Sequence, residues 1–273
     1  MENLSNRTTA DGKVRILNCD PSRQQEKDWD IVIADEAGII NLDAEIPTSK
    51  DLRENWWNVA DQGTTGSCVG WASADSVIRW HYTKEGIITK KQSLSVRFVW
   101  MAAKEMDEFN ARPTTFIEGS GTSLKSALDI VRKYGIVLEK VFPFKAGSYN
   151  GEEVVLYARA AQRKIAGYFN LGLLEPNTPI FSVWKTWLAT KGPILTRLDV
   201  DETWDKATQN NGNLDVYLPK TVRGGHAVAL VGYTPDRFIV RNSWGTNWGD
   251  GGFAHASYDY AKAAFTESYG IFI

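Results

Sequence analysis

The sequence predicts an α+β protein, and three observations carry that prediction. Apolar residues recur at helical spacing between about residues 67 and 134. In the C-terminal half the period shortens to that of strands, and Gly, Pro, Asn and Asp turns separate the strand-like runs. A helical half followed by an antiparallel β half folds around one compound core, with a cleft expected where the halves meet.

Taken in order, residues 1 to 45 form an N-terminal arm with a character of its own. It carries ten acidic and five basic side chains, a local net of −5 against −2 for the whole chain of 273 residues. Its apolar patches, Val14 to Leu17 and Trp29 to Ile33, suit strands or docking contacts but not a separate core. Ile46-Pro47 then opens the main body, residues 46 to 273, with a helical lobe over roughly 60 to 165 and a β-rich lobe over roughly 166 to 265. Ser67 to Glu85 reads as a helix through Val69, Ala72, Val77 and Trp80, stopped at Gly86. Further helices are expected over Val96 to Phe109, Ser123 to Tyr134 and Ser182 to Thr190. Strands are expected over Pro193 to Leu198, His226 to Val231, Arg237 to Asn242 and Gly252 to Ala256.

Bulk composition narrows the function. With 31 basic and 33 acidic side chains, no global field favours nucleic acid or a membrane surface. A 43% hydrophobic content with 11 Trp is that of an ordered globular chain. Two cysteines, Cys19 and Cys68, do not make a disulfide scaffold. No apolar run follows MENLSNRTTADGK, so neither a signal peptide nor a spanning helix is read, and a cytoplasmic location is the expectation. No phosphate loop, zinc spacing or repeat is found; no metal or cofactor is expected.

Three separated segments supply the parts of a thiol nucleophile site. They are Asp61-Gln62-Gly63-Thr-Thr-Gly66-Ser67-Cys68, Gly-Gly-His226-Ala-Val and Arg241-Asn242-Ser-Trp-Gly. A thiol needs a base, the base needs an orienting group, and a tetrahedral intermediate needs donors for its oxyanion. Cys68, His226, Asn242 and Gln62 fill those roles, and Cys68 falls at a helix N-terminus, where the dipole favours a thiolate.

On these motifs the chain resembles the papain-like cysteine peptidases, in a bacterial-type form without disulfides. The match runs from about Ile46 to the C-terminus in the order Gln, Cys, His, Asn, and Asn242-Ser-Trp-Gly-Thr-Asn-Trp-Gly-Asp-Gly-Gly252 is its most specific string. The resemblance implies a two-lobed fold, a helical left lobe facing an antiparallel β-barrel-like right lobe. It also implies peptide-bond hydrolysis through a thioester, with Cys68 as nucleophile, His226 as acid and base, Asn242 orienting the ring and Gln62 in the oxyanion hole. By the same likeness Trp244 covers the Asn242 to His226 bond, Trp248 lines the primed side, and Gly121 and Thr122 pair with substrate backbone. The expected partner is a peptide or protein substrate. Residues 1 to 45 could then serve as a short pro-segment, with self-inhibition as a hypothesis.

The chain departs from the family pattern in places. Val69-Gly70-Trp71 follows the nucleophile where an aromatic is usual, Thr65 stands at a common disulfide position, and the double glycine near Gly121 is broken. The C-terminal segment after Tyr269 is short. Outside the motifs, Cys19 reads as a structural or incidental thiol, His81 and His255 as packing or surface residues, and Asp199 and Asp201 as a solvated loop edge. Trp56, Trp57, Trp184, Trp187 and Trp204 read as packing. An endopeptidase or exopeptidase leads; an amidase or acyltransferase using the same site, or a catalytically silent peptide-binding protein, are the alternatives.

Overall fold

Helices give way to sheet near residue 165 in the computed structural model, which describes residues 12 to 106, 118 to 172 and 180 to 273 and the backbone strand Asn6–Thr8. The helix carrying Cys68 runs on without a break: Cys68–Gly70, a wider π-type stretch Trp71–Ile78, then Arg79–Lys84. Every residue from Ala72 to Tyr82 is buried, the pattern of a helix enclosed on all sides. Within the π stretch, Ser76 Oγ donates to the Trp71 carbonyl at 3.2 Å, a local bond that the wider turn accommodates. Gly70 lets a second helix, Val96–Met106, lie against it: a Cβ there would sit 2.8 Å from the Val96 carbonyl oxygen. The expected extension of that helix to Phe109 lies outside the described residues. A third helix, Leu124–Lys133, starts where the Ser123 hydroxyl accepts the Ser126 N–H at 3.2 Å.

The strands are β1 (Asn6–Thr8), β2 (Val14–Ile16), β3 (Lys50–Asp51), β4 (Gly167–Asn170), β5 (Ile194–Val200), β6 (Asn213–Leu214), β7 (Gly224–Tyr233), β8 (Arg237–Arg241), β9 (Phe253–Ser257) and β10 (Phe265–Phe272). β1 and β2 pair as a small ribbon of the arm. The rest form an eight-stranded sheet in the order β4-β10-β5-β7-β8-β9-β6, with β3 also on β7. All pairings are antiparallel except β6 with β9. The helix Ile180–Thr190 packs its buried Trp184 and Trp187 on this sheet.

Three expectations need correction. The β-rich half is an open sheet rather than a barrel: β6 is a two-residue rim strand, and β4 is covered by the arm, whose Trp29 carbonyl accepts the Asn170 N–H at 2.8 Å. The apolar patch at Trp29 to Ile33 enters a helix, Ile31–Glu36, because the Asp30 carboxylate caps the Ile33 N–H at 3.0 Å. Residues 265 to 272 form the interior strand β10 between β4 and β5. Asp201 is fully buried, accepting the Leu218 N–H at 2.6 Å and the Tyr260 hydroxyl at 2.8 Å, while Asp199 pairs with Arg197 at the edge. Helices Glu153–Ala160 and Tyr258–Ala264 complete the α-helices among the described residues, and short 3-10 turns lie at Gln25–Lys27, Glu202–Lys206 and Pro219–Thr221. No helix among these residues is long and apolar enough to cross a membrane.

A buried ion pair ties the central helix to the sheet. Arg241, at the end of β8, donates to Asp75 at 2.8 Å and to the Asn58 carbonyl at 2.8 Å, and its guanidinium lies 4.7 Å from the Trp57 ring centre. Asp75 also receives Arg79 at 2.9 Å. This clamp fixes the residue immediately before Asn242.

Candidate active site

Cys68 opens the central helix, and His226 lies on β7, in register with Leu198 of β5. The two side chains are neighbours: His226 and the backbone N–H of Ala227 both act to lower the pKa of the Cys68 thiol, while His226 Nδ1 is buried without a hydrogen-bond partner. His226 Nε2 is 2.8 Å from Asn242 Oδ1. That oxygen also accepts the Ser243 N–H at 2.8 Å, which identifies it as the amide oxygen. An acceptor-only atom requires the proton on Nε2, so Nδ1 of the neutral ring is left with its lone pair toward the thiol. The thiol is pushed well below its ordinary pKa, first by the neighbouring Cys19 thiol and then by His226, against the opposing effect of burial.

Gln62 is oriented from both ends. Its Oε1 accepts the Ser243 hydroxyl at 2.8 Å, its Nε2 donates to the Thr65 carbonyl at 2.9 Å, and its backbone N–H donates to the Ser243 carbonyl at 2.8 Å. One amide N–H remains beyond the Thr65 bond, beside the start of the central helix. No side chain caps that helix start. A developing negative charge on a carbonyl oxygen there would meet donors already in place.

Aromatic rings close the back of the imidazole. Trp244 lies 5.0 Å from the His226 ring centre and is 1% exposed, so it shields the bond to Asn242 from water. Trp204 meets His226 edge-on at 5.7 Å and stacks on Trp248 at 5.0 Å. Trp248, expected on the primed wall, is instead interior: its Nε1 donates to the Trp204 carbonyl at 3.2 Å and its ring is covered by Trp204 and Trp244. Trp204 Nε1 donates to the Tyr260 oxygen at 2.9 Å, and Tyr260 in turn donates to Asp201, so the buried carboxylate anchors this aromatic wall. Trp71, two positions past the usual aromatic, packs edge-on against Phe144 at 4.9 Å.

The arm passes directly over the site. Arg15 reaches Asp61 at 2.5 Å and the Trp244 carbonyl at 3.0 Å, and Lys13 reaches Asp61 at 2.7 Å. Burial alone would raise the Asp61 pKa, but the hydrogen bonds from Lys13 and Arg15 bring it below the ordinary value. The chain then crosses between two glycine-bearing segments. The Asn18 side chain donates to the Gly119 carbonyl, the Cys19 N–H donates to the Gly225 carbonyl at 2.9 Å, and the Asp20 N–H donates to the Thr122 carbonyl at 3.1 Å. The approach leaves no room for side chains: a Cβ on Gly121 would fall 1.8 Å from the Asn18 carbonyl oxygen, and one on Gly225 would fall 2.3 Å from that of Cys19. Gly121 and Thr122 therefore face backbone, that of the arm itself. Farther along, the Ser22 N–H donates to the buried Glu267 carboxylate at 2.8 Å.

Sequence reasoning gave the arm as a possible pro-segment but missed which of its residues reach the site. Cys19, read as structural or incidental, is 2% exposed and its sulfur donates to the Asp20 carbonyl at 3.8 Å; it also lies near enough to Cys68 for each thiol to shift the pKa of the other. A signal was available, since these are the chain's two cysteines. Asp61, adjacent to Gln62, could have been matched to the basic pair Lys13 and Arg15 in an otherwise acidic arm. Asp201 and Glu267 carried no such signal, because burial of a carboxylate is decided by tertiary contacts.

Comparisons with known proteins agree with this geometry. A family model described as papain family cysteine protease matches residues 46–271. The chain is 26% identical over 218 residues to a cathepsin L-like proteinase of Fasciola hepatica, covering 76% of this chain and 59% of that protein. It is 27% identical over 236 residues to papain of Carica papaya, covering 84% and 59%. It thus spans about three-fifths of the length of these curated relatives. The solved structure of xylellain, a cysteine protease from Xylella fastidiosa, shares the fold with a TM-score of 0.73 at 22% identity, over 98% of this chain and 97% of that one. A thiol held against an imidazole that an asparagine orients, in a matching segment of this length, places the chain in the papain family of cysteine proteases.

Proposed function

We propose that this chain is a cysteine peptidase that hydrolyses peptide bonds of peptide or protein substrates, and that residues 1 to 45 act as a short pro-segment holding it latent. The observation that carries the reading is the orientation of His226: Asn242 fixes the Nε2 proton at 2.8 Å and thereby aims Nδ1 at the Cys68 sulfur. The Cys68 proton moves to Nδ1, and the thiolate attacks the scissile carbonyl carbon. The carbonyl oxygen gains charge beside the Gln62 amide and the first N–H groups of the central helix. Collapse expels the amine, which takes the proton from His226, and leaves a thioester on Cys68. Water, deprotonated by His226, then releases the acid and restores the thiol. Catalysis is thus shared between a prepaired thiol and donors fixed before substrate arrives.

Latency follows from the arm's course. Substrate backbone needs the same edges that Asn18, Cys19 and Asp20 occupy at Gly119, Gly225 and Thr122. The test is cleavage of a denatured protein by the full chain and by an Arg15→Glu variant, with products identified by mass spectrometry. Slow cleavage by the full chain, faster cleavage by the variant and none by Cys68→Ala supports the reading. Equal rates for the first two would remove the latency claim, and no cleavage by any form would remove the peptidase claim.

A further inference from the structure

Cys19 is a nucleophilic side chain that the proposed hydrolysis does not use, and it has been brought to the one place where a second thiol matters most. Its backbone is pinned on both sides: the N–H donates to the Gly225 carbonyl at 2.9 Å, and the carbonyl accepts Arg197 Nε at 3.0 Å. Gly225 precedes His226, and the N–H of Ala227, which follows it, acts to lower the pKa of the Cys68 thiol. Both thiols are therefore referred to the same three residues of β7, one through its backbone and one through its sulfur. They are almost wholly shielded, at 2% and 0% exposure, in a shared apolar cluster.

We propose that Cys19 is the resolving thiol of a redox latch, forming a reversible disulfide with Cys68 that locks the arm in the cleft. The inference rests on the peptidase reading for its consequence, but the disulfide itself does not depend on it. The oxidant is a small peroxide, of a size to reach a covered sulfur. The Cys68 thiolate attacks one peroxide oxygen; the O–O bond breaks, hydroxide leaves and is protonated, and the sulfur is oxidised to a sulfenic acid. The Cys19 thiol then attacks that sulfur, forming the S–S bond and expelling the second oxygen as water. Two thiols and one hydrogen peroxide become one disulfide and two waters. The Cys68 thiol is pushed below its ordinary pKa by the Cys19 thiol and by His226, and burial pushes the Cys19 thiol up. That division of labour suits an attacking thiolate and a waiting thiol.

Two consequences follow for the site. Cys68 is kept off the irreversible part of the oxidation ladder, because condensation with a neighbouring thiol competes with a second oxidation. An arm cut between Asp20 and Ile46 also stays covalently attached until a thiol reductant releases it, so oxidation overrides proteolytic activation.

The test uses the full reduced chain, its Cys19→Ser variant, and limiting hydrogen peroxide. The expected result in the wild type is loss of two hydrogens in the intact mass, a Cys19 to Cys68 cross-linked peptide, and recovery of both free thiols with dithiothreitol. In Cys19→Ser the same treatment should give sulfinic or sulfonic acid at Cys68 that dithiothreitol does not recover. Cys68 overoxidised equally in both proteins, or cross-linked between chains instead of within one, would overturn the latch. If the cross-link forms but the reduced protein labels with no active-site probe, the latch stands and the peptidase reading fails.

Discussion

His226 depends on Asn242 for its tautomer, and Gln62 depends on Ser243 and Thr65 for its aim. Each dependence gives a prediction. Gln62→Ala should lower kcat by roughly 10²- to 10³-fold, the usual cost of one oxyanion donor, with little change in KM. Steady-state kinetics on an arm-released form checks this, and an equal loss in KM would reassign Gln62 to substrate binding. A second residue, His81, reports on burial alone. Its pKa is pushed down to about 4 by burial, and its Nε2 has no hydrogen-bond partner. An unfolded histidine titrates near 6.5, so between about pH 6.5 and 4 the unfolded chain binds a proton that the folded chain refuses. Stability therefore falls as pH drops through that window and levels off below it, by roughly 3 kcal/mol in all. Urea unfolding at pH 7 and pH 4 should show a drop in the wild type that is smaller by about that amount in His81→Phe.

At the scale of elements, the arm and the β8 clamp do different work. Lys13 and Arg15 hold the arm through one carboxylate, Asp61, which neighbours the Gln62 backbone. Arg15→Glu puts a second carboxylate beside Asp61 at a position only 1% exposed, and we expect it to raise the labelling rate of Cys68 about tenfold while also lowering the unfolding midpoint. In the wild type, added salt should raise that rate too, since the Lys13 pair is half exposed and open to screening. The β8 clamp is the opposite case. Arg241 is fully buried, and removing it takes one of the two cations that face the buried Asp75 and the donor of the Asn58 carbonyl, leaving Arg79 alone to hold that carboxylate. Arg241→Ala should cost about 3 to 5 kcal/mol by denaturant unfolding, and a loss below about 1 kcal/mol would mean that the pair is not a structural tie.

For the whole molecule, the sequence was readable where a local pattern and a tertiary need coincide. The helix from Cys68 to Lys84 and strands β5, β7, β8 and β9 have uninterrupted apolar periods and clear breakers, so their positions follow from the chain alone. The motif residues were legible because the chemistry restricts residue type at each step. What was not legible came from docking. β10 hides Glu267 and Ser268 in its interior, which breaks the alternation a strand should show, because Glu267 is held by the Ser22 N–H of the arm. Trp29 to Ile33 has the composition of a strand, yet the Asp30 cap turns it into a helix. Cys19 gains its meaning only from a partner 49 positions away, across a contact that no local pattern encodes.

The central claim is that Cys68 is an activated nucleophile beneath a displaceable arm. Its most direct test is labelling with an epoxysuccinyl active-site probe, followed by peptide mapping, on the reduced full chain, Arg15→Glu and Cys68→Ala. The account predicts an adduct on Cys68 and none on Cys19, formed faster in Arg15→Glu and absent from Cys68→Ala. No adduct in either of the first two, while a small thiol reagent still reaches Cys68, would contradict it.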